Sequence, residues 1–500
     1  MLLSLASCAG AHMDGGENFA PDSGDWIGGN YDNMYAPDDE AADDALPEQS
    51  SPEYGKLIEN KWISTSDEPT STFSSDVDTA SYSRLRSYLK NGMTFESLKN
   101  YYGASIRTEE LLNYFKYTTN SPENGDLFGV RTEIAPCPWN KEADLLMMTF
   151  RAKDAETVSA GNNLVFLIDT SGSMASADKL PLLKTSFNTL IDSLGENDRI
   201  SIVTYSGSEK TVLAGASGAE KQRIRNAVSS LSAGGSTNGS AGMERAYSLA
   251  RDYFIEGGNN RIIMATDGDL NVGITSTDGI LAFVEEKRQS GIYISTLGFG
   301  GGGYNDKMLE TIADNGNGAY YFIDGTSEAE KIFGEDLLST LYTVAEDVKF
   351  QLTFNPEAIA QYRLVGYENR LMNNEDFEND AKDAGEVGAS QQLVVCYEIK
   401  MTDTEESPDS LMTLAIRYKD PGATEGKQND YTIGAECISR DASDDLRFAS
   451  AVIVTSMLLH DSEYLDEGIT LSYVNSTLAY IVTDDFYKNE FKELIALICS

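Results

Sequence analysis

The feature that most constrains the fold is a regular alternation of apolar strand patterns and helical patterns between residues 163 and 345. The first apolar run, Leu164–Ile168, is continuous, which is typical of a strand buried on both faces of a sheet. Alternating strands and helices favour an α/β fold, here a doubly wound, mostly parallel sheet with helices on both faces. Further strands are predicted at Arg199–Tyr205, Lys210–Ala214, Arg261–Thr266, Tyr293–Leu297 and Tyr320–Ile323. Helices are predicted at Lys179–Leu194, Ala219–Leu231, Ala241–Phe254, Thr277–Gln289, Asp306–Asn315 and Ser327–Val344.

Two flanking regions, residues 62–162 and 346–500, show a different pattern of short strands and helices. Strands are predicted at Phe128–Ile134, Leu145–Arg151, Val348–Phe354, Tyr362–Tyr367, Gln392–Met401 and Leu411–Tyr418. Helices are predicted from Asp78 to about Gly92 and at Thr108–Tyr117, Asp444–Leu459 and Phe486–Ile498. Because neither strand set is sufficient alone, we expect both to form one β-rich platform into which the central domain, residues 163–345, is inserted.

Asp76 and Asp78 precede the first helix of the N-terminal flank. Their spacing raises the alternative of a cation site. Capping and turn chemistry are favoured, with Asp78 as the N-cap of the helix.

The N-terminus combines a short apolar segment with an acidic spacer. Leu5-Ala6-Ser7-Cys8 resembles a bacterial lipobox, in which the cysteine is acylated, so residues 1–8 are interpreted as the remnant of a signal sequence with Cys8 as the lipidation site. A truncated start remains the alternative. Residues 9–61 are predicted to be a disordered acidic tether, since the stretch from 9 to 51 contains no Lys or Arg and few apolar residues.

The composition excludes several classes of function. A formal net charge of -42 argues against nucleic-acid binding and against adsorption to an anionic membrane, so contact with a membrane is expected only through Cys8. The two histidines, His12 and His460, lie in no recognisable catalytic context, which disfavours most hydrolases. The five cysteines form no CxxC pair, and their spacing leaves open whether the later four are free or paired.

Three loops at predicted strand ends carry oxygen ligands. Asp169, Ser171 and Ser173 follow the first strand directly, and alternate positions of a tight turn can point to one centre. Thr237 lies in a glycine-rich loop, and Asp267 leaves a further apolar strand. Carboxylates and hydroxyls suit magnesium first, with calcium and manganese as alternatives. Ligands of doubly wound sheets bind at this carboxyl edge.

A second glycine-rich loop, Gly298–Tyr304, also follows a strand of the central domain. It lacks the GK[ST] of a phosphate-binding loop, so it is interpreted as a flexible loop at the binding edge.

With these five residues in this order, the central domain resembles a von Willebrand factor type A (VWA) domain with a metal-ion-dependent adhesion site. The flanking pieces DVDTASY, RTEELLNYF and FNPEAIAQYRLVGYENR resemble a bacterial subgroup of secreted or lipid-anchored VWA proteins, and this likeness weakens after about Glu463. The resemblance implies that the hydroxyls of Ser171, Ser173 and Thr237 ligate the metal and that at least one aspartate acts directly or through water. The sixth position is then left for an Asp or Glu of a partner protein.

The function expected from this resemblance is cation-dependent adhesion or scaffolding outside the cytoplasm, with no catalysis. One alternative is a regulatory or assembly subunit that docks on an ATPase or another envelope complex. A hydrolase with its site in a flank is the weaker alternative, since no nucleophile motif is present.

Overall fold

The computed structural model of the protein describes residues 57–154, 160–234, 239–268, 277–300, 306–336, 342–403 and 410–499. Cys8, Thr237 and most of the predicted tether lie outside these ranges. The strands, numbered in chain order, are β1 (Ile63–Ser64), β2 (Thr70–Ser74), β3 (Phe128–Pro136), β4 (Asp144–Ala152), β5 (Asn162–Asp169), β6 (Arg199–Ser206), β7 (Ser208–Ser217), β8 (Asn259–Thr266), β9 (Tyr293–Phe299), β10 (Tyr320–Ile323), β11 (Thr343–Phe354), β12 (Ile359–Val365), β13 (Gly385–Gly388), β14 (Gln392–Met401), β15 (Met412–Lys419) and β16 (Lys427–Ile433). The α-helices are α1 (Ala80–Lys90), α2 (Phe95–Tyr102), α3 (Thr108–Tyr114), α4 (Leu180–Ser193), α5 (Lys221–Ser229), α6 (Gly239–Asp252), α7 (Thr277–Arg288), α8 (Asp306–Asn315), α9 (Thr326–Lys331), α10 (Asp444–His460), α11 (Leu471–Ala479) and α12 (Phe486–Cys499).

The central domain is built on a six-stranded sheet in the order β10-β9-β8-β5-β6-β7. All neighbouring strands run parallel except the antiparallel pair β6–β7. Strand order reverses at β5, because the chain continues from β5 to β6 and β7 on one side of it and then crosses to β8 on the other, and every residue of β5 is buried. The predicted α/β fold with a doubly wound, mostly parallel sheet is therefore confirmed.

Helices cover both faces of this sheet. Phe166 of β5 packs against Phe187 of α4 on one face, while Leu167 joins Met243 and Tyr247 of α6 on the other. Burying each such side chain contributes about 1.5–3 kcal/mol, so the two apolar layers stabilise the domain and hold its strand ends in register.

The flanks form one platform of two packed antiparallel sheets, as the sequence predicts. One sheet has the order β1-β12-β14-β4-β3 and therefore mixes strands from before and after the central domain. The other has the order β13-β11-β15-β16, with β2 also paired to β11. Phe150 and Val395 of the first sheet meet Phe350 and Leu414 of the second in a shared apolar core.

A layer of helices covers the outer face of the first platform sheet. Leu112 of α3 and Val452 of α10 belong to the same buried cluster as Met147 of β4 and Val394 of β14. This layer draws α1–α3 from the N-terminal flank and α10–α12 from the C-terminal flank, so both ends of the described chain close the same core.

Two predicted details of the helices are wrong. The helix predicted at Ser327–Val344 is shorter, because α9 ends in a π-helical turn at Ile332–Asp336 and Thr343 already pairs as part of β11. The N-cap of α1 is Thr79 and not Asp78. The Asp78 carboxylate instead accepts a hydrogen bond of 3.0 Å from the backbone amide of Tyr320, in the central domain.

The chain leaves and re-enters the platform at neighbouring points. The carbonyl of Lys153, which follows β4, accepts a hydrogen bond of 3.0 Å from the Ser390 amide. The carbonyl of Tyr342, which precedes β11, accepts one of 2.8 Å from the Ala389 amide. The two connections to the central domain are thus fastened to consecutive residues of the platform.

Two properties of the described residues bear on localisation and redox chemistry. No helix within the described ranges is both long and apolar enough to cross a membrane. The question left open for the later cysteines is answered, since Cys137, Cys396, Cys437 and Cys499 are all free thiols.

Candidate metal centre

The candidate centre lies where β5 and β8 end side by side at the carboxyl edge of the central sheet. Asp169 is the last residue of β5, and Asp267 directly follows β8. The two strands are paired in parallel, with Ile168 opposite Ala265. The topology therefore brings the first and last predicted ligands of the set to adjacent turns.

Asp169 organises the turn that follows β5. One carboxylate oxygen accepts a hydrogen bond of 2.7 Å from the Ser171 amide, and the other accepts one of 3.1 Å from the Thr266 hydroxyl. Asp169 is fully buried, and this burial raises its pKa to about 6, an effect that the Ser171 hydrogen bonds oppose and the nearby charge of Asp267 reinforces. A cation beside Asp169 would favour the charged carboxylate instead.

The two serine hydroxyls of the turn converge. Ser171 Oγ and Ser173 Oγ lie 2.8 Å apart, although Ser171 is buried and Ser173 is exposed. Two neutral oxygens at the mouth of a buried acidic turn are the donor type that hard divalent cations take in proteins.

The two carboxylate oxygens of Asp267 have different surroundings. Its Oδ2 accepts a hydrogen bond of 2.9 Å from the ammonium of Lys179. Its Oδ1 is buried and has no hydrogen-bond partner among the described residues. A buried acceptor without a partner is costly, and a cation or a cation-bound water would satisfy it, so the donor set fits a divalent cation.

Thr237 lies outside the described residues, so its predicted role as a ligand stays a prediction. The chain just before it is described. The Gly234 amide donates a hydrogen bond of 2.7 Å to the Thr170 carbonyl, and the Ser206 hydroxyl contacts the Gly234 carbonyl. The segment that leads to Thr237 is therefore fastened to the same turn as Asp169 and Ser171.

Sequence reasoning missed two side chains of this edge. Thr266 supports Asp169, and Lys179 joins Asp267 to the Ser173 carbonyl at 3.1 Å. Thr266 directly precedes Asp267 in the sequence, which was a usable signal. Lys179 stands before a helix, where a lysine is usually solvated, and its partner is 88 residues away.

A second acidic group is buried between α8 of the central domain and the flanks. Arg370 lies at its centre, 2.9 Å from Asp76, 3.3 Å from Asp314 and 3.7 Å from Asp78. We call the whole group the interdomain acid cluster and define it as Asp76, Asp78, Glu109, Glu110, Glu310, Asp314, Arg107 and Arg370.

Burial dominates the electrostatics of this cluster. It raises the pKa of Glu109, Glu110 and Glu310 to about 7 and moves the pKa of Asp78 well above its ordinary value. Asp76 is the exception, because Arg370 and Arg107 outweigh its burial and lower its pKa. The cation-site alternative for Asp76 and Asp78 gains no support, since an arginine already occupies the space between these carboxylates.

In the part of the chain that the structure describes, no three His, Cys, Asp or Glu side chains form a group that could hold a metal ion. Any cation at the edge of the central sheet would therefore depend on the serine hydroxyls as well as on Asp169 and Asp267.

Comparison with protein-family models identifies three consecutive regions. Residues 163–335 match the von Willebrand factor type A domain, and residues 48–147 match a model described as von Willebrand factor. Residues 339–499 match the C-terminal region of the uncharacterized protein YfbK. The family likeness therefore continues past Glu463, after which the sequence resemblance was expected to weaken.

Individual proteins are also similar to this chain. The uncharacterized protein YfbK of Escherichia coli (strain K12) is 39% identical over 438 residues, which cover 83% of this chain and 75% of that protein. Inter-alpha-trypsin inhibitor heavy chain H3 of Homo sapiens is 28% identical over 269 residues, 49% of this chain and 29% of that protein. Among solved structures, von Willebrand factor type A from Catenulispora acidiphila matches with a TM-score of 0.39 and 16% identity, over 67% of this chain and 80% of that chain.

Proposed function

The chain belongs to the family of the Escherichia coli protein YfbK and carries a von Willebrand factor type A domain, and from this premise we propose that it is a cation-dependent protein-binding module. In this proposal the strand-edge site, which we define as Asp169, Ser171, Ser173, Asp267 and the adjoining Lys179, supplies oxygen ligands to a divalent cation, with magnesium as the first choice and Thr237 as a further predicted ligand. An Asp or Glu side chain of a partner protein completes the coordination. The module acts in adhesion or scaffolding and has no catalytic role.

The observation that carries the proposal is the buried Oδ1 of Asp267, which has no hydrogen-bond partner among the described residues, together with the two convergent serine hydroxyls of the adjacent turn. Asp169 is held by two hydrogen bonds and cannot turn away, so the oxygens of the β5 turn keep their spacing. Preorganised oxygen donors of this kind favour a hard cation over an empty pocket.

The composition of the donor set supports recognition of an acidic partner. A bound divalent cation supplies an electrophilic centre that can accept one further carboxylate oxygen. Ser171 and Ser173 are neutral, so they orient such a cation without cancelling its charge. The exposure of Ser173 leaves the site accessible from solvent.

We further propose that the protein acts outside the cytoplasm, either anchored through acylated Cys8 or secreted. The support is the lipobox-like sequence and the acidic, Lys- and Arg-free stretch that follows it. Mass spectrometry of the protein from its native host tests this, because an acylated Cys8 at the N-terminus is expected and an unmodified Met1 would contradict it.

The test of the binding function is a pull-down of envelope proteins with the purified chain as bait. We expect a set of partners that is retained in Mg²⁺, lost in EDTA and lost with Asp169→Ala. Asp192→Ala is the matched control, because Asp192 is an exposed carboxylate that pairs with Arg225 away from the site. Partners that remain bound in EDTA would refute metal-mediated recognition. Recovery of an ATPase subunit would replace adhesion by the assembly role.

A further inference from the structure

We propose that Lys179 is a built-in counter-cation of the strand-edge site: its ammonium competes with the divalent cation for Asp267 and thereby sets the affinity of the site. This inference rests on the proposed function and adds to it a means of regulation. It predicts that the metal is bound weakly enough to respond to its concentration.

The first step of the argument is the position of the ammonium. Lys179 Nζ lies 2.9 Å from Asp267 Oδ2 and 3.1 Å from the Ser173 carbonyl oxygen. It therefore links the turn after β5 to the turn after β8, the two turns between which the cation is proposed to bind. No other ammonium or guanidinium is paired with Asp267 among the ion pairs of the described residues.

The second step is that the fold makes room for this lysine. Lys179 occupies the N-cap position of α4, and its side chain makes no capping hydrogen bond. Its stem runs beside Gly300, at the end of β9, where a Cβ atom would lie 2.3 Å from Lys179 Cε. Gly300 also has a φ of +88°, which favours glycine. The residue that follows β9 is thus a glycine against which the lysine stem packs.

The third step is the balance of charge. The site holds two carboxylates, Asp169 and Asp267, and one ammonium, so the lysine removes half of the negative charge available to a cation. An ammonium and a metal ion that contact the same carboxylate repel each other strongly where solvent is partly excluded. Lysine carries a compact charge on a flexible stem, and its side chain is 22% exposed, so the ammonium can withdraw towards solvent when a metal binds.

The fourth step is the asymmetry of Asp267. The lysine engages Oδ2, while the buried Oδ1 keeps its acceptor capacity. The ammonium therefore weakens the site without blocking it. It also holds the two turns together when no metal is bound, which a pair of bare carboxylates would not do.

The experiment measures Mn²⁺ binding by the electron paramagnetic resonance signal of the free ion, at 150 mM salt to screen exposed acidic residues. The wild-type chain is compared with Lys179→Met, which removes the charge at similar length, and with Lys179→Arg, which keeps it. Asp169→Asn defines the binding that does not involve the site. Lys287→Met is the matched control, because Lys287 pairs with the exposed Glu286 on the last turn of α7 and changes the net charge equally.

We expect Lys179→Met to lower the Kd for Mn²⁺ by about tenfold or more, given the strength of a nearby like charge. Lys179→Arg and Lys287→Met are expected to stay within about threefold of wild type, because each leaves the positive charge at the site in place. An unchanged or higher Kd in Lys179→Met, or an equal gain in Lys179→Arg, would overturn the role of the lysine.

The proposed function fails separately, and the inference with it, if Asp169→Asn binds Mn²⁺ as tightly as wild type does. Far-ultraviolet circular dichroism of each variant checks that the fold is retained.

Discussion

The strand-edge site and the interdomain acid cluster are both places where carboxylates lie close together, yet they balance their charge in opposite ways. At the strand edge, two carboxylates, one flexible lysine and two hydroxyls meet at two adjacent turns, and one buried carboxylate oxygen has no hydrogen-bond partner among the described residues. In the cluster, six carboxylates surround two arginines, and three of them have a pKa near 7.

The difference shows that acidic residues alone do not make a cation site. Arginine carries a rigid, permanent charge that pairs with several carboxylates at once, whereas a lysine can be displaced. The carboxylates of the cluster that the two arginines do not neutralise therefore bind protons near neutral pH. The cluster as a whole connects α8 to the flanks. The strand edge keeps neutral oxygen donors and one open acceptor, which leaves it suited to a metal.

Among the changes that distinguish the interdomain acid cluster from the strand-edge site, Arg370→Met is expected to have the largest effect on stability. Removing this arginine leaves Asp76, Asp78 and Asp314 buried without their common partner, and breaking a buried ion pair from one side costs about 3–5 kcal/mol of the free energy of unfolding. Urea denaturation at pH 8 measures the loss. Arg447→Met is the control, because its exposed pair with Asp444 contributes about 1 kcal/mol or less. Equal losses in both variants would mean that the cluster is not a structural connection.

Mg²⁺ should act on the strand edge and not on the cluster. At about a hundred times the Kd, a ligand bound only by the folded state adds about 2.7 kcal/mol to the free energy of unfolding. We expect this gain in the wild-type chain and in Arg370→Met, and its loss in Asp169→Asn, all measured by denaturation with and without Mg²⁺. If Mg²⁺ stabilises Asp169→Asn as much as it stabilises wild type, the cation binds elsewhere, and the strand-edge site is not the one suited to a metal.

The smallest expected effect is the pH dependence of stability, which tests the interdomain acid cluster alone. Burial raises the pKa of Glu109, Glu110 and Glu310 to about 7, above the value near 4.5 that a glutamate has in an unfolded chain. Between these values the folded state holds protons that the unfolded state has released. The contribution of these three glutamates to stability is therefore greatest at low pH and is lost as the pH rises through 7. Lowering the pH from 8 to 6 should stabilise the fold by about 1.4 kcal/mol for each proton taken up.

Glu109→Gln provides the control for this pH dependence. The amide mimics the protonated carboxyl of Glu109, whose Oε2 accepts a hydrogen bond of 3.0 Å from the Tyr367 amide. The variant should gain about 1.4 kcal/mol less than wild type between pH 8 and pH 6, because one proton fewer is bound. Acidification also weakens the general repulsion of an acidic chain, so the difference between the two proteins is the quantity to measure. Parallel pH profiles would show that Glu109 does not change its protonation state between pH 8 and pH 6.

Local patterns predicted the elements that depend on their own sequence. The strand Gln392–Met401 and the helix Asp306–Asn315 have the predicted bounds, because a long apolar run and a clear helical repeat leave little ambiguity. Elements that depend on their neighbours were missed. The polar strand β16 is stabilised by its pairing with β15. Helix α11 is stabilised by packing against α10 and α12.

The candidate site divides in the same way. Asp169, Ser171, Ser173 and Asp267 follow recognisable strand ends, so family resemblance located them. Lys179 could not be identified, because its role depends on a partner on another strand. In the interdomain acid cluster Asp76 contacts Arg370, which lies 294 residues later in the sequence. Neither residue spacing nor composition could predict such a contact.

The attachment of the VWA domain to the platform has an evolutionary consequence. Since Lys153 and Tyr342 are bonded to the adjacent residues Ser390 and Ala389, the gap between the two attachment points is narrow. A few linking residues could close it while the order of the platform strands stayed intact. The geometry of the two attachment points thus permits insertion of a whole domain at this place without a change in the order of the platform strands.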